Sequence, residues 1–170
     1  MFSLRGKVAI VTGATGYLGK AFAESLLQSG AKVDVYGRDA KILKLYSILS
    51  NNYGRENVDY HDVNLHNEHN FRQALQDTVE KNETVDILIN NAYEFSKRTG
   101  FNDPSGKFDN MSKEQWAVSL MSGVYWPALA TQIIAEKMKE QEGGSIINIS
   151  SMYGLVSPDP SLYEGLDTFN

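Results

Sequence analysis

The segment that most constrains this chain is Thr12-Gly13-Ala14-Thr15-Gly16-Tyr17-Leu18-Gly19. It overlaps the end of residues 7–12 (KVAIVT), a continuous apolar run too short for a helix and suited to a strand covered on both faces. It leads into residues 17–28, where Leu18, Phe22 and Leu26 recur at helical spacing, and Gly30 then supplies a C-terminal stop. In such a strand-loop-helix context Gly13 turns the chain tightly, Gly16 lets the backbone approach a pyrophosphate, and Gly19 lets helix and strand pack closely. The helix N-terminus offers free N–H groups to an anion. Spaced glycines alone also occur in ordinary tight β-α turns, but the flanking elements favour nucleotide binding.

The same alternation continues along the chain, the pattern of β-α-β units and a parallel sheet. Strands are expected at residues 32–36, 58–62, 85–90 and 145–150, the last as a fifth buried strand. Asp39 is placed to cap a second helix carrying Ile42, Leu43, Tyr46 and Leu49, before a polar turn at residues 51–56. Asn67 opens a third helix with Phe71, Leu75 and Val79 stacked at intervals of four, ending near Asn82. Residues 93–111 lack periodicity and read as a long loop. Ser112 and Gln115 form a capping box for a helix that Pro127 kinks or restarts and that Gly143 and Gly144 end.

With 170 residues, 42% of them hydrophobic, the chain suits one core. A formal charge of -5 repels polyanions, so nucleic acid is not expected as a partner. The absence of cysteine excludes disulfides and thiolate metal sites, and no metal is expected. No apolar run approaches the roughly 20 residues that span a bilayer, so no membrane is expected and the chain is read as cytoplasmic.

A dinucleotide fold also needs a group that reads the adenosine ribose at the end of the second strand. Asp34 has about the right sequence separation but sits inside the strand, so it reads better as a solvated or capping carboxylate. The terminal position is Gly37, and the guanidinium of Arg38 beside it suits a ribose 2′-phosphate. This inclines the reading towards NADP, with NAD left open.

Taken together, the glycine loop, Asp62-Val63, Asn90-Asn91-Ala92 and Ile149-Ser150-Ser151 resemble, in order and spacing, the short-chain dehydrogenase/reductase family. The resemblance implies a Rossmann-type doubly wound parallel sheet with five strands in order 3-2-1-4-5. It implies one NAD(P)-binding domain over residues 1–170, C-terminally incomplete. It further implies cofactor binding by Gly13, Thr15, Gly16, Tyr17, Leu18 and Gly19, with Asp62 on the adenine amino group and Val63 lining its pocket. Asn90, Asn91 and Ala92 would run past the ribose, and Ser151 would polarise the substrate carbonyl. Read without the family, Asp62 caps a turn, Asn90 and Asn91 satisfy backbone groups, and Ser151 caps the next segment of the chain.

Three departures stand out. The glycine spacing, Gly-x-x-Gly-x-x-Gly, resembles the extended, nucleotide-sugar-modifying branch of the family, whereas the later motifs resemble the single-domain branch. Tyr93 stands where that branch has glycine, and Gly123 about where it has a catalytic asparagine. The family's Tyr-x-x-x-Lys pair is missing: Tyr163 is followed four residues later by Asp167, whose charge would raise a phenol pKa, so Tyr163 is rejected as its equivalent. The sequence ends in the loop expected to deliver that pair, which a C-terminal truncation would explain.

The expected function is hydride transfer between a nicotinamide and a small carbonyl or alcohol substrate. Two alternatives stay open: an epimerase or dehydratase acting on a nucleotide sugar, and a dinucleotide-binding module without turnover. Lys97 and Arg98 could meet an anionic substrate, although a lone basic pair is usually solvated surface. A homo-oligomer through the long helix before the fifth strand is implied only by the family.

Overall fold

A computed structural model describes residues 3–157 and 159–163. Five strands, β1 (Val8–Val11), β2 (Lys32–Gly37), β3 (Val58–Asp62), β4 (Ile87–Asn90) and β5 (Ser145–Asn148), form one parallel sheet in the order β3-β2-β1-β4-β5. Helices α1 (Tyr17–Gln28), α2 (Asp39–Tyr53), α3 (Glu68–Lys81), α4 (Lys113–Leu120) and α5 (Trp126–Glu140) connect them. This is the Rossmann-type sheet, with the strand order expected from the sequence.

The period of two along β1 builds a core on each face. Ala9 and Val11 join Val33, Val35, Ala23, Leu27, Ile42 and Leu49 under α1 and α2. Ile10 points the other way, to Tyr36, Phe71, Leu75, Leu88, Leu129 and Ile134 under α3 and α5. Order 3-2-1-4-5 reverses direction at β1, so the carboxyl ends of β1 and β4 flank a crevice where open α/β sheets take ligands.

Several local expectations change. The buried face of α1 is Gly19, Ala23, Leu26 and Leu27, leaving Leu18 exposed, because the helix lies down with its glycine side towards the sheet. Asp39 makes no cap bond with its side chain. It has φ of 60° and instead donates its N–H to Asp62 Oδ1 at 2.8 Å. The polar stretch after α2 becomes its last turn, and the chain turns at Gly54, where φ is 92°. Asp34 is not solvated but fully buried, with Oδ1 3.3 Å from His61 Nε2. β5 is mostly exposed, since it lies at the sheet edge with β4 as its one neighbour among the described residues.

Helix α4, a π-helical turn at Met121–Tyr125 and α5 run on as one helical segment. Pro127 has no N–H to give the carbonyl four residues earlier, and the turn just before it is π-helical, with the Trp126 N–H bonding Met121 O. The capping box of Ser112 and Gln115 is formed as expected. The absence of any apolar stretch of membrane-spanning length does not hold: residues Lys113–Glu140 are long and apolar enough by length and composition. Trp126, Leu129, Ala130, Ile134 and Met138 pack one side of this segment into the core.

Candidate functional site: a cleft at the switch point

A cleft of about 540 Å³ opens between the carboxyl ends of β1, β2 and β4. It is lined by the glycine loop, by Gly37 and Arg38 after β2, by Val63 to Leu65 after β3, and by Asn91 to Phe95 after β4, with Trp126 beneath. A more open groove of about 660 Å³ lies between the outer sides of α3 and α5, away from every residue of the sequence motifs.

The glycine loop is shaped by contacts that leave its amides available. Gly13 has φ of 64°, and a Cβ there would lie 2.8 Å from Ala92 Cα. A Cβ on Gly19 would meet Gly13 O, and would lie 2.8 Å from Ala14 Cα, so this position is closed to any side chain. Gly16 differs: a Cβ would meet only Gly13 O, at 3.4 Å. No protein contact demands glycine at Gly16, which fits close approach by a ligand. Ala14 and Gly16 give their N–H groups to Tyr36 O and Gly13 O, at 3.0 and 3.1 Å. Among the described residues, the N–H groups of Thr15, Tyr17 and Leu18 meet no protein acceptor. They open α1 at its positive end, which suits an anion.

The loop is tied to β4 by a residue whose role the sequence motifs do not reveal. Thr12 Oγ1 accepts the N–H of Asn91 at 3.0 Å and that of Ala92 at 3.2 Å. In return, Asn91 Nδ2 donates to Thr12 O and Gly13 O at 3.1 and 3.2 Å. Asn91 thus satisfies backbone carbonyls while holding Ala92 at the cleft wall. The pairing of Thr12 with a residue 79 positions on has no local signature in the sequence.

The other expected site residues divide. Val63 and Arg38 line the cleft; Asp62 does not, and one of its oxygens is taken by the Asp39 N–H. Asn90 is buried and donates to Asn148 Oδ1 at 2.8 Å, bracing β4 against β5. Ser151 is exposed, outside the cleft lining, and its Oγ accepts the Tyr153 N–H at 3.2 Å. Lys97 pairs with Asp103 at 3.6 Å, and neither Lys97 nor Arg98 lines the cleft. Asp167 lies outside the described residues, as does the side chain of Tyr163.

Tyr93 and Gly123 meet. A Cβ on Gly123 would lie 3.4 Å from Tyr93 Cε2, at ordinary contact distance, so the ring lies beside this glycine. Tyr93, Phe95 and Phe101 stack edge to face, with centroids 4.9 and 4.7 Å apart.

Buried polar chemistry sits on both sides of the crevice. Glu94 is 7% exposed, with Oε2 3.2 Å from His66 Nε2 and 3.6 Å from Arg38 Nη2. Burial raises its pKa, but hydrogen bonds from Ser96 and His66 and the Arg38 charge outweigh this and hold the carboxyl below its usual range. The Trp126 indole N–H is buried and meets no acceptor among the described residues. Away from the cleft, Asp34, Asp59 and His61 bring potential ligand atoms within 4.8 Å of one another. Lys81 already bonds Asp59, and His61 Nε2 is shared between Asp34 and Thr78 Oγ1.

Residues 7–163 match the sequence profile described as short chain dehydrogenase. The chain belongs to the short chain dehydrogenase family. It is 33% identical over 154 residues to the 3-oxoacyl-[acyl-carrier-protein] reductase FabG of Aquifex aeolicus, covering 89% of this chain and 58% of that protein. It is 32% identical over 154 residues to the 15-hydroxyprostaglandin dehydrogenase [NAD(+)] of Mus musculus, covering 90% of this chain and 52% of that protein. Its fold matches a metagenomic short-chain oxidoreductase in complex with NADP, with a TM-score of 0.78, 26% identity, and coverage of 91% of this chain and 66% of that one. This family member therefore spans a little over half the length of the curated relatives it matches.

Proposed function

We propose that this chain is the cofactor-binding part of an NAD(P)-dependent oxidoreductase acting on a small carbonyl or alcohol substrate. The observation that carries the reading is the set of unpartnered amides at Thr15, Tyr17 and Leu18, beside a Gly16 whose Cβ position is open on the cleft. Diphosphate oxygens would accept from these N–H groups at the helix N-terminus. Val63, Ala92 and the carboxyl end of β2 would wall the adenosine half, with Arg38 at the ribose. When bound, the nicotinamide supplies the hydride chemistry. Relatives naming NAD(+) and NADP both support a dinucleotide without choosing between them.

The test is titration of the purified chain with NADH and NADPH, followed by cofactor fluorescence. Saturable binding that is weakened in Gly16→Val, with the urea midpoint unchanged, is the expected result. Absence of saturable binding of either cofactor overturns the reading. A second reading, binding without turnover, is favoured by the Tyr93 ring lying beside Gly123, which leaves no side chain for an asparagine-based proton relay. NADPH or NADH oxidation with a panel of carbonyl compounds separates the two.

A further inference from the structure

The end of β2 is Gly37, which carries no ribose-reading carboxylate. A Cβ on Gly37 would lie 2.7 Å from Thr15 Cγ2 and 3.1 Å from Ile42 Cδ1, so a side chain there would need both of these side chains to shift. An acid nevertheless stands at this end of the cleft, supplied by the loop after β4. Glu94 reaches across to Arg38, their charged groups 3.6 Å apart, and its carboxylate is anchored from behind by His66 at 3.2 Å. Arg38 is half-exposed, whereas the Glu94 side chain is 8% exposed. Of the two, the anion is the fixed member.

We propose that Glu94 sets the cofactor preference of this site, as a fixed anion that engages Arg38 and disfavours a 2′-phosphate relative to a free 2′-hydroxyl. The inference rests on the dinucleotide reading of the cleft. A cofactor with a 2′-hydroxyl leaves the Arg38–Glu94 pair intact. One with a 2′-phosphate must draw Arg38 off Glu94 and then lie beside an ionised carboxylate that is buried and hydrogen-bonded to His66 at 3.2 Å. An arginine placed to favour NADP is thus opposed by an acid from a different loop. Lys41 also lines the cleft, so the balance is set by more than one cation, but Glu94 is the single acid among the lining residues that touches Arg38.

The experiment measures dissociation constants for NADPH and NADH at one ionic strength, for the unsubstituted chain, Glu94→Gln and Glu94→Asp. The glutamine keeps the shape and can still meet Ser96 and His66. It should tighten NADPH binding about tenfold, equivalent to about 1.4 kcal/mol, and leave NADH within roughly twofold. Glu94→Asp keeps the charge but shortens its reach, and should move the ratio in the same direction by less; it also serves if the glutamine variant does not fold. Equal changes for both cofactors, or no gain for NADPH in either variant, overturn the proposal. If the unsubstituted chain binds neither cofactor, the dinucleotide reading itself falls.

Discussion

Replacing Thr12 by valine exchanges one hydroxyl for a methyl of nearly the same size, in a side chain that is 3% exposed. Its Oγ1 accepts two backbone N–H groups, from Asn91 and Ala92, and donates weakly to Ile89 O at 3.3 Å. A buried donor left without its acceptor costs about 1–3 kcal/mol. Asn91 and Ala92 are half-buried, so part of that cost is recovered by water, and the pair together is expected to cost about 2–3 kcal/mol. With a urea slope of roughly 2 kcal/mol per molar, the unfolding midpoint falls by about 1 M. Thr12→Ser keeps the acceptor and loses only a buried methyl, costing about 0.8 kcal/mol. Urea titrations of the two variants beside the parent decide the matter. A valine variant as stable as the serine variant would refute the assignment of Thr12 as the tie between the glycine loop and β4.

Gly19→Ala should lower stability by about 2–4 kcal/mol, since backbone atoms on two sides meet the new methyl, whereas Gly16→Ala should stay within about 0.5 kcal/mol of the parent by urea denaturation. At Gly123 a Cβ would sit at ordinary contact distance from the Tyr93 ring, so Gly123→Ala should stay within about 0.5 kcal/mol of the parent by urea denaturation, while Gly123→Asn, whose amide extends further towards that ring, should couple to Tyr93→Gly; strict additivity in the double-mutant cycle would contradict the contact. Asp86 joins β1 to β4 by accepting from Lys7 and from the Val8 N–H, at 2.8 and 2.9 Å. Burial raises its pKa, but the Lys7 bond first, then the Val8 and Thr84 bonds, outweigh this and lower it. A lowered folded-state pKa means stability present above the unfolded value near ~3.9 and lost as pH falls through the folded value. Asp86→Asn should therefore cost about 1 kcal/mol at pH 7, with the gap closing as pH falls below the usual carboxylate range; a gap independent of pH would contradict this.

The elements and their order were legible because each carries its own local signal. The apolar run of β1, the Asn67 cap whose side chain accepts the Asn70 N–H, and the Ser112–Gln115 box depend only on neighbours in sequence. The glycine-loop side of the cleft was legible for the same reason, since Gly13, Gly16 and Gly19 lie within seven residues of one another in the chain. What escaped depends on long-range contacts. Thr12 acts on Asn91 and Ala92, and Glu94 on Arg38 and His66, through distances that only the folded sheet makes short. Asp34 read as a solvated or capping carboxylate from its place inside the strand, but the fold sets it against His61, which also meets Thr78 beside the buried Tyr36 hydroxyl. The burial expected of β5 failed because SIINIS has the composition of a central strand while its position in the sheet is peripheral. The helix over residues 113–140 was legible from its capping box to its glycine stop; what the sequence does not reveal is that a π turn precedes Pro127 where a kink or restart is expected.

The peripheral place of β5 bears on how this chain behaves at the bench. One side of its backbone has no neighbouring strand among the described residues, and Ile147 and Ile149 lie exposed at 43% and 38%. Such a margin is a template on which a partly opened second molecule can add itself, and heating supplies molecules in that condition. Warmed at high concentration, the chain should precipitate before it melts reversibly, so its energetics are best read in denaturant and in dilute solution, and a lysine introduced at Ile147 should widen the workable range.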